Sequence, residues 1–152
     1  MLRVITCNTN GIRAAERKGF FNWLSTQDAD VICIQEIKAK EAQLVAPVFH
    51  PKPYYCFYNE AERPGYAGTA VFCRVKPERV VNRLNWEIVD REGRYIQVDF
   101  PGLSVVSLYV PSGSSSDAAQ ARKDGFMESL YEHLASLGRK RREFIICADW
   151  NT

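Results

Sequence analysis

The amino-acid sequence predicts an α/β fold, in which mixed β-sheet packs against helices. Short β-branched and apolar runs, such as Val31-Ile32-Cys33-Ile34, are typical of buried strands. Residues 117–137 carry apolar side chains at helical spacing, and Gly138 follows them where a helix would end. The chain has 152 residues, 46% hydrophobic and 25% charged, so we expect one domain, residues 1–152, with a core of its own.

The predicted elements follow one another in a clear order. Residues 2–7 are expected to form a strand, 14–24 a helix interrupted at Gly19, 31–34 a central strand and 38–46 a polar helix. Pro101-Gly102 predicts a turn, so the strands on either side of it should form a hairpin. The remaining predicted strands are residues 54–58, 69–74, 79–84, 94–100, 103–110 and 143–148.

Composition and the cysteine pattern exclude several classes of protein. No apolar run approaches the roughly 20 residues that a membrane-spanning helix needs. No signal-peptide pattern precedes the first strand, so a cytoplasmic location is expected. The five cysteines form no Cys-x-x-Cys pair and no zinc-site spacing, which predicts reduced, structural thiols. The net charge of +2 does little to identify a polyanionic partner.

Polar side chains follow three of the predicted strands. The first strand runs into Asn8-Thr9-Asn10-Gly11, the second into Gln35-Glu36 and the last into Asp149-Trp150-Asn151, while Tyr109 ends another. Ligands of α/β proteins bind beyond the carboxyl ends of strands, and two carboxylates with nearby amides suit Mg²⁺. Each motif alone is more often turn chemistry. Their joint order favours a single site.

In that order the motifs resemble the exonuclease III family of abasic-site endonucleases, within the wider endonuclease/exonuclease/phosphatase superfamily. The resemblance spans the whole chain. Asn-Gly-Ile-Arg-Ala and Gly-Tyr-x-Gly indicate the abasic-endonuclease branch rather than the lipid or inositol phosphatases. Cys7 and Ala148 depart from the family, which commonly has tryptophan and glycine there. The matching segments are 7–14, 34–38, 65–70, 92–94, 109–113 and 148–151.

The resemblance implies a role for each matching residue. Glu36 would be the principal metal ligand, and Asn8 and Asn10 would shape the metal site. The metal would be Mg²⁺, with Mn²⁺ as an alternative. Asp149 would activate the attacking water or serve the leaving oxygen. The other implied contacts are Tyr109 and Asn151 to the scissile phosphate, and Gly65, Tyr66 and Arg94 to DNA phosphates.

The resemblance also implies a DNase I-like four-layer sandwich, of which this chain is expected to supply chiefly one sheet, with the second sheet largely missing. A carboxyl-terminal half or another chain would then cover the exposed sheet face. The family's catalytic histidine lies in that half, and neither His50 nor His133 matches its position. The chain alone is therefore expected to be inactive. The expected substrate is double-stranded DNA with an abasic site or a 3′ end.

Other interpretations of the sequence remain open. The chain is either part of an enzyme or a non-catalytic remnant that kept the fold, and a phosphodiesterase acting on RNA or another phosphoester is the runner-up within the enzyme class. Aromatic residues at 54–58 suit base stacking but fit alternating strand packing better. The basic run 139–142 suits phosphate contact, although a solvated turn after a helix explains it more simply.

Overall fold

A computed structural model describes every residue from Met1 to Thr152. The chain alternates between strands and helices as an α/β protein does. The strands are β1 Val4–Asn8, β2 Val31–Gln35, β3 Tyr55–Asn59, β4 Thr69–Cys73, β5 Arg79–Val81, β6 Tyr95–Phe100, β7 Leu103–Tyr109 and β8 Glu143–Asp149. The α-helices are α1 Ile12–Arg17, α2 Phe20–Ser25, α3 Glu87–Glu92 and α4 Asp117–Gly138.

The eight strands form two mixed sheets of four strands each. The first sheet has the order β1-β2-β4-β3, with β1 and β2 parallel and the other pairs antiparallel. The second has the order β5-β6-β7-β8, with β7 and β8 parallel. Strands β6 and β7 form the predicted hairpin around Pro101-Gly102. In each sheet one strand next to the site, β1 or β8, has a neighbour on one side only.

The two sheets pack face to face over an apolar interior. Val31, Cys33 and Val71 of the first sheet contact Ile96 and Val98 of the second, and all five side chains are buried. The α/β class and the sandwich arrangement are thus confirmed. The expectation that the second sheet would be largely missing is wrong, because β5 to β8 pair with one another instead of joining the first sheet. Each sheet has open edges, whereas the inner faces of the two sheets cover each other.

Helices cover the outer faces and complete the four layers. Ile12 of α1 and Leu24 of α2 pack on the first sheet, whereas Val89 of α3 and Phe126 of α4 pack on the second. Burying such side chains stabilises the fold by about 1.5–3 kcal/mol each. No helix of the structure combines the length and the apolar character that crossing a membrane requires.

The structure corrects the predicted helix at residues 38–46, adds a helix that was not predicted and confirms the interruption at Gly19. Residues 38–46 contain no α-helix but a single 3₁₀ turn, Glu41–Gln43, because Lys38 has φ 48° and Pro47 follows closely. Helix α3 was not predicted, since six residues give too little periodicity. The interruption at Gly19 is confirmed: its φ of 91° separates α1 from α2 in a conformation that glycine adopts easily.

Candidate active site

Three of the predicted strand ends meet at one point. Asn8 ends β1, Asp149 ends β8, and Glu36 follows β2, which is the parallel neighbour of β1. The Asn8 side-chain amide donates from Nδ2 to Glu36 Oε1 at 3.1 Å and to Asp149 Oδ2 at 2.6 Å. One amide group therefore joins carboxylates that belong to different sheets and lie 113 residues apart in the chain.

The Glu36 carboxylate is the most heavily coordinated group of the site. Tyr109 donates its hydroxyl to Oε1 at 2.6 Å, and the Lys38 ammonium lies 3.1 Å from Oε2. Partial burial opposes ionisation, but hydrogen bonds from Tyr109, Asn8 and Lys38 outweigh it and hold the pKa of Glu36 below its ordinary value. Glu36 is therefore an anion at neutral pH, as a metal ligand must be.

The Tyr109 ring packs against a buried arginine, Arg94. The Arg94 guanidinium is 2% exposed, and it donates to the Tyr109 carbonyl oxygen at 3.0 Å, to Glu92 Oε2 at 2.5 Å and to the Tyr66 hydroxyl at 3.0 Å. Burial, with the hydrogen bond to Glu36, raises the pKa of Tyr109 to about 12. Tyr109 thus keeps its hydroxyl proton. Arg94, for which the resemblance implied a contact with DNA phosphates, is buried in the structure.

Asp149 is oriented by the residues that follow it. The Asn151 backbone N–H donates to Asp149 Oδ1 at 3.0 Å, and the Asn151 side chain donates to the Val110 carbonyl oxygen at 2.6 Å. Lys123 of α4 donates to the Asn151 carbonyl oxygen. Both oxygens of Asp149 therefore have a fixed donor, one from Asn8 and one from Asn151.

Backbone strain collects at the same place. Only six non-glycine residues have positive φ, and four of them belong to the site or adjoin it: Asn10 at 44°, Glu36 at 51°, Lys38 at 48° and Asn151 at 51°. Such residues cost on the order of 1 kcal/mol or more each and persist where surrounding contacts enforce them. Asparagine adopts positive φ more readily than most residues. No sequence signal predicted positive φ at Glu36 or Lys38.

A basic pocket of about 340 Å³ adjoins the carboxylates. Its walls include Gly65, for which a phosphate contact was predicted, and the cations Arg13, Arg17 and Lys38. Lys38 also donates to Asn10 Oδ1 at 2.7 Å, which connects the pocket to the metal-site residues. The sequence motif contained Arg13 without a role for it, and Arg17 was missed because a lone arginine on a short helix has no distinctive pattern.

The other predicted DNA contact, Tyr66, faces a cation. Arg63 stacks over its ring at 5.1 Å from the centroid. Both histidines serve packing instead of the site. His50 hydrogen-bonds the Leu44 carbonyl oxygen at 2.7 Å, and His133 the Tyr95 hydroxyl at 3.2 Å. All five cysteines are free thiols.

The donor set suits a hard divalent cation. Two carboxylates, Glu36 and Asp149, converge with the amides of Asn8 and Asn10, and one ammonium group, Lys38, offsets part of their charge. The structure contains no cluster of three or more His, Cys, Asp or Glu side chains. Oxygen donors with one or two carboxylates are the set that Mg²⁺ accepts, since it retains several waters.

Comparison with known protein families shows to which family this chain belongs. The model of the Endonuclease/Exonuclease/phosphatase family matches residues 5–152. The chain belongs to this family. Its predicted resemblance to exonucleases and abasic-site endonucleases is also confirmed, because these are the family members to which it is similar.

The relatives show how much of a family member this chain spans. An exodeoxyribonuclease of Bacillus subtilis is 33% identical over 99% of this chain and 58% of its own length. The DNA repair nuclease APEX1 of Danio rerio is 28% identical over 99% of this chain and 49% of its own length. The structure of an AP endonuclease from Archaeoglobus fulgidus superposes with a TM-score of 0.86, at 28% identity, over all of this chain and 58% of that chain. This family member thus spans about half the length of its relatives.

Proposed function

We propose that this chain carries one part of the active site of a Mg²⁺-dependent DNA-repair phosphodiesterase. The observation that supports this most directly is the Asn8 amide, which joins the carboxylates of Glu36 and Asp149. A nuclease site needs a metal-binding carboxylate next to a group that accepts a proton, and this arrangement provides both. The names of the relatives, an exodeoxyribonuclease and a DNA repair nuclease, agree with that chemistry.

In this proposal Glu36, with Asn8 and Asn10, would hold the cation, which would be Mg²⁺ or in its place Mn²⁺. When bound, the cation supplies positive charge that offsets the charge developing on the phosphate. The lowered pKa keeps the Glu36 carboxylate ionised at neutral pH, as binding of a cation requires.

The remaining residues handle protons and phosphate oxygens. Tyr109, which keeps its proton, would turn its hydroxyl from Glu36 towards the substrate and donate it to an oxygen of the scissile phosphate. Asp149, fixed by Asn8 and Asn151, accepts a proton from the attacking water or serves the leaving oxygen. Asn151 holds a second phosphate oxygen.

The substrate we propose is double-stranded DNA with an abasic site, a 3′ nucleotide or a 3′ blocking group. The basic pocket of Arg13, Arg17 and Lys38, with Gly65, supports this proposal, because its cations would attract phosphates next to the scissile bond. Tyr66 and Arg63 offer a further contact surface. Because the chain spans about half the length of its relatives, we propose that it is inactive alone and that further sequence completes the duplex-binding surface.

The test is Mg²⁺-dependent cleavage of a duplex that contains an abasic-site analogue, by the gene-encoded protein and by residues 1–152. Glu36→Gln should abolish cleavage, whereas Glu128→Gln, an exposed change of equal charge on α4, should leave it intact. Cleavage of RNA but not of the abasic duplex would favour the RNA-directed alternative. Absence of cleavage on either substrate would favour the non-catalytic remnant.

A further inference from the structure

A second polar pocket lies at the opposite end of the second sheet from the active site. It has a volume of about 330 Å³ and opens between β5, β6 and the carboxyl-terminal end of α4. Asp99 on its wall pairs with Ser104, five residues before Tyr109 on β7. At the rise of a β-strand that separation is roughly 17 Å. No residue of the proposed catalytic machinery lines this pocket.

Four cations converge on this pocket without an anionic partner. Arg79, Arg83, Lys140 and Arg142 line it, and none of them forms an ion pair. Outside this pocket four arginines, Arg74, Arg91, Arg94 and Arg122, are paired with carboxylates. Like charges held together repel one another, and a single carboxylate among them offsets only part of that repulsion.

One carboxylate, Asp99, lines the pocket, and one of its oxygens already accepts two hydrogen bonds. Asp99 is 7% exposed, and its Oδ1 accepts hydrogen bonds from Gln97 at 2.7 Å and from Ser104 at 2.6 Å. Its single charge is smaller than the sum of the four cations, so the pocket has a net positive charge. The basic run at 139–142 contributes two of the four, while Arg139 and Arg141 lie outside.

Arg142 is anchored by backbone carbonyl groups, and its Nε has no hydrogen-bond partner. Its Nη2 donates to the carbonyl oxygens of Phe100 at 2.6 Å and Leu103 at 3.1 Å, which anchors the guanidinium on the β6–β7 turn. Its Nε is the one buried side-chain nitrogen or oxygen of the structure that lacks a hydrogen-bond partner. The two carbonyl contacts therefore fix the position of the Arg142 guanidinium at the pocket wall.

We propose that this pocket binds a phosphate monoester. A dianion with three acceptor oxygens matches converging Arg and Lys side chains better than a carboxylate does, because guanidinium groups bind phosphate with paired N–H donors. The volume lies at the lower end of the range for small-ligand pockets. The phosphate belongs either to a free sugar phosphate or to the terminal phosphate of a nucleic-acid strand.

Calorimetric titration of the protein with ribose 5-phosphate, and separately with a short oligonucleotide that carries a 5′-phosphate, tests this site. Ribose and the unphosphorylated oligonucleotide are the ligand controls. Arg83→Gln combined with Lys140→Gln should weaken binding at least about tenfold, because two charge-assisted contacts are lost and neither side chain holds the fold together. Arg139→Gln combined with Arg141→Gln removes the same charge outside the pocket and should change affinity less than about twofold.

The two ligands distinguish the sources of the phosphate, and binding of either one through the pocket cations supports the site. An equal loss in both double variants would overturn the proposal, because it would show that diffuse surface charge binds the ligand. Binding of ribose as tight as that of ribose 5-phosphate, or no binding of either phosphorylated ligand at millimolar concentration, would overturn it as well. Circular dichroism of each variant checks that the fold is intact.

Discussion

The Arg94 guanidinium lies 4.9 Å from the centroid of the Tyr109 ring and donates to the carbonyl oxygen of the same residue. Because Arg94 is also bonded to Glu92 and Tyr66, it is fixed in three directions. Tyr109 in turn donates to Glu36 at 2.6 Å. A buried cation thus supports the hydroxyl that orients the principal proposed metal ligand.

Replacing Arg94 should destabilise the protein. Arg94→Met leaves the Glu92 carboxylate with Arg122 as its one remaining cation. It also removes the donors to the Tyr109 carbonyl oxygen and the Tyr66 hydroxyl. We expect a loss on the order of 3 kcal/mol in the free energy of unfolding, measured by urea denaturation. Arg91→Met, which breaks two exposed ion pairs, is the matched control and should cost much less. Equal losses would show that Arg94 has no special structural role.

Tyr109→Phe removes one hydrogen bond to Glu36 and leaves the ring in place. If Tyr109 donates to the scissile phosphate, the cleavage rate of the gene-encoded protein should fall about 100- to 1,000-fold. Tyr131→Phe, at an exposed position on α4, should have no effect on the rate. An unchanged rate in Tyr109→Phe would remove Tyr109 from the proposed mechanism.

Asp149→Asn and Glu36→Ala should impair DNA cleavage in different ways. Asp149→Asn should lower the cleavage rate by about 100- to 10,000-fold with little change in Mg²⁺ affinity, because we assign proton transfer to it. Glu36→Ala should lose both the rate and the affinity. Rates measured across a range of Mg²⁺ concentrations separate the two effects. If Asp149→Asn weakens Mg²⁺ binding as much as Glu36→Ala does, both carboxylates are metal ligands.

The lowered pKa of Glu36 predicts a specific response to acid. A carboxyl whose pKa is lower in the folded state stabilises the fold at pH values above its unfolded pKa of about 4.3, and this contribution is lost as pH falls through the folded value. Urea denaturation at pH 7 and at successively lower pH, without divalent metal, should show that loss. Glu36→Gln should show less of it. Identical pH profiles for the two proteins would contradict the inferred environment of Glu36.

The open edges of β1 and β8 predict self-association of the isolated chain, since unpaired strand edges add further strands. Sedimentation of residues 1–152 should show a mass that rises with concentration. Thr6→Lys places a charge at the exposed β1 position and should reduce the association. Thr26→Lys, which adds the same charge beyond α2, should not. A monomer at every concentration would show that these edges are protected.

The sequence predicted those features that depend on residue type and order. Runs such as 31–34 marked strands, and Asn8, Glu36 and Asp149 at strand ends marked the site, because a strand brings its end to a sheet edge wherever the sheet lies. It could not assign β5 to β8 to a second sheet, since alternation of side chains does not encode which strands pair. The sequence also could not show that Arg94 is buried, because a charged residue is normally exposed and two of the partners of Arg94, Tyr66 and Tyr109, are distant in the chain.

Asn8 and Asp149 end two of the four edge strands, one in each sheet, so the candidate active site lies between two hydrogen-bond ladders that are open on that side. Packed sheets are about 10 Å apart. A single added strand can therefore pair with β1 or with β8. A segment that pairs with both has to supply two strands about 10 Å apart. Such a segment would stand directly beside the paired carboxylates. Completion of the sandwich and formation of the site's remaining wall would then be one folding event.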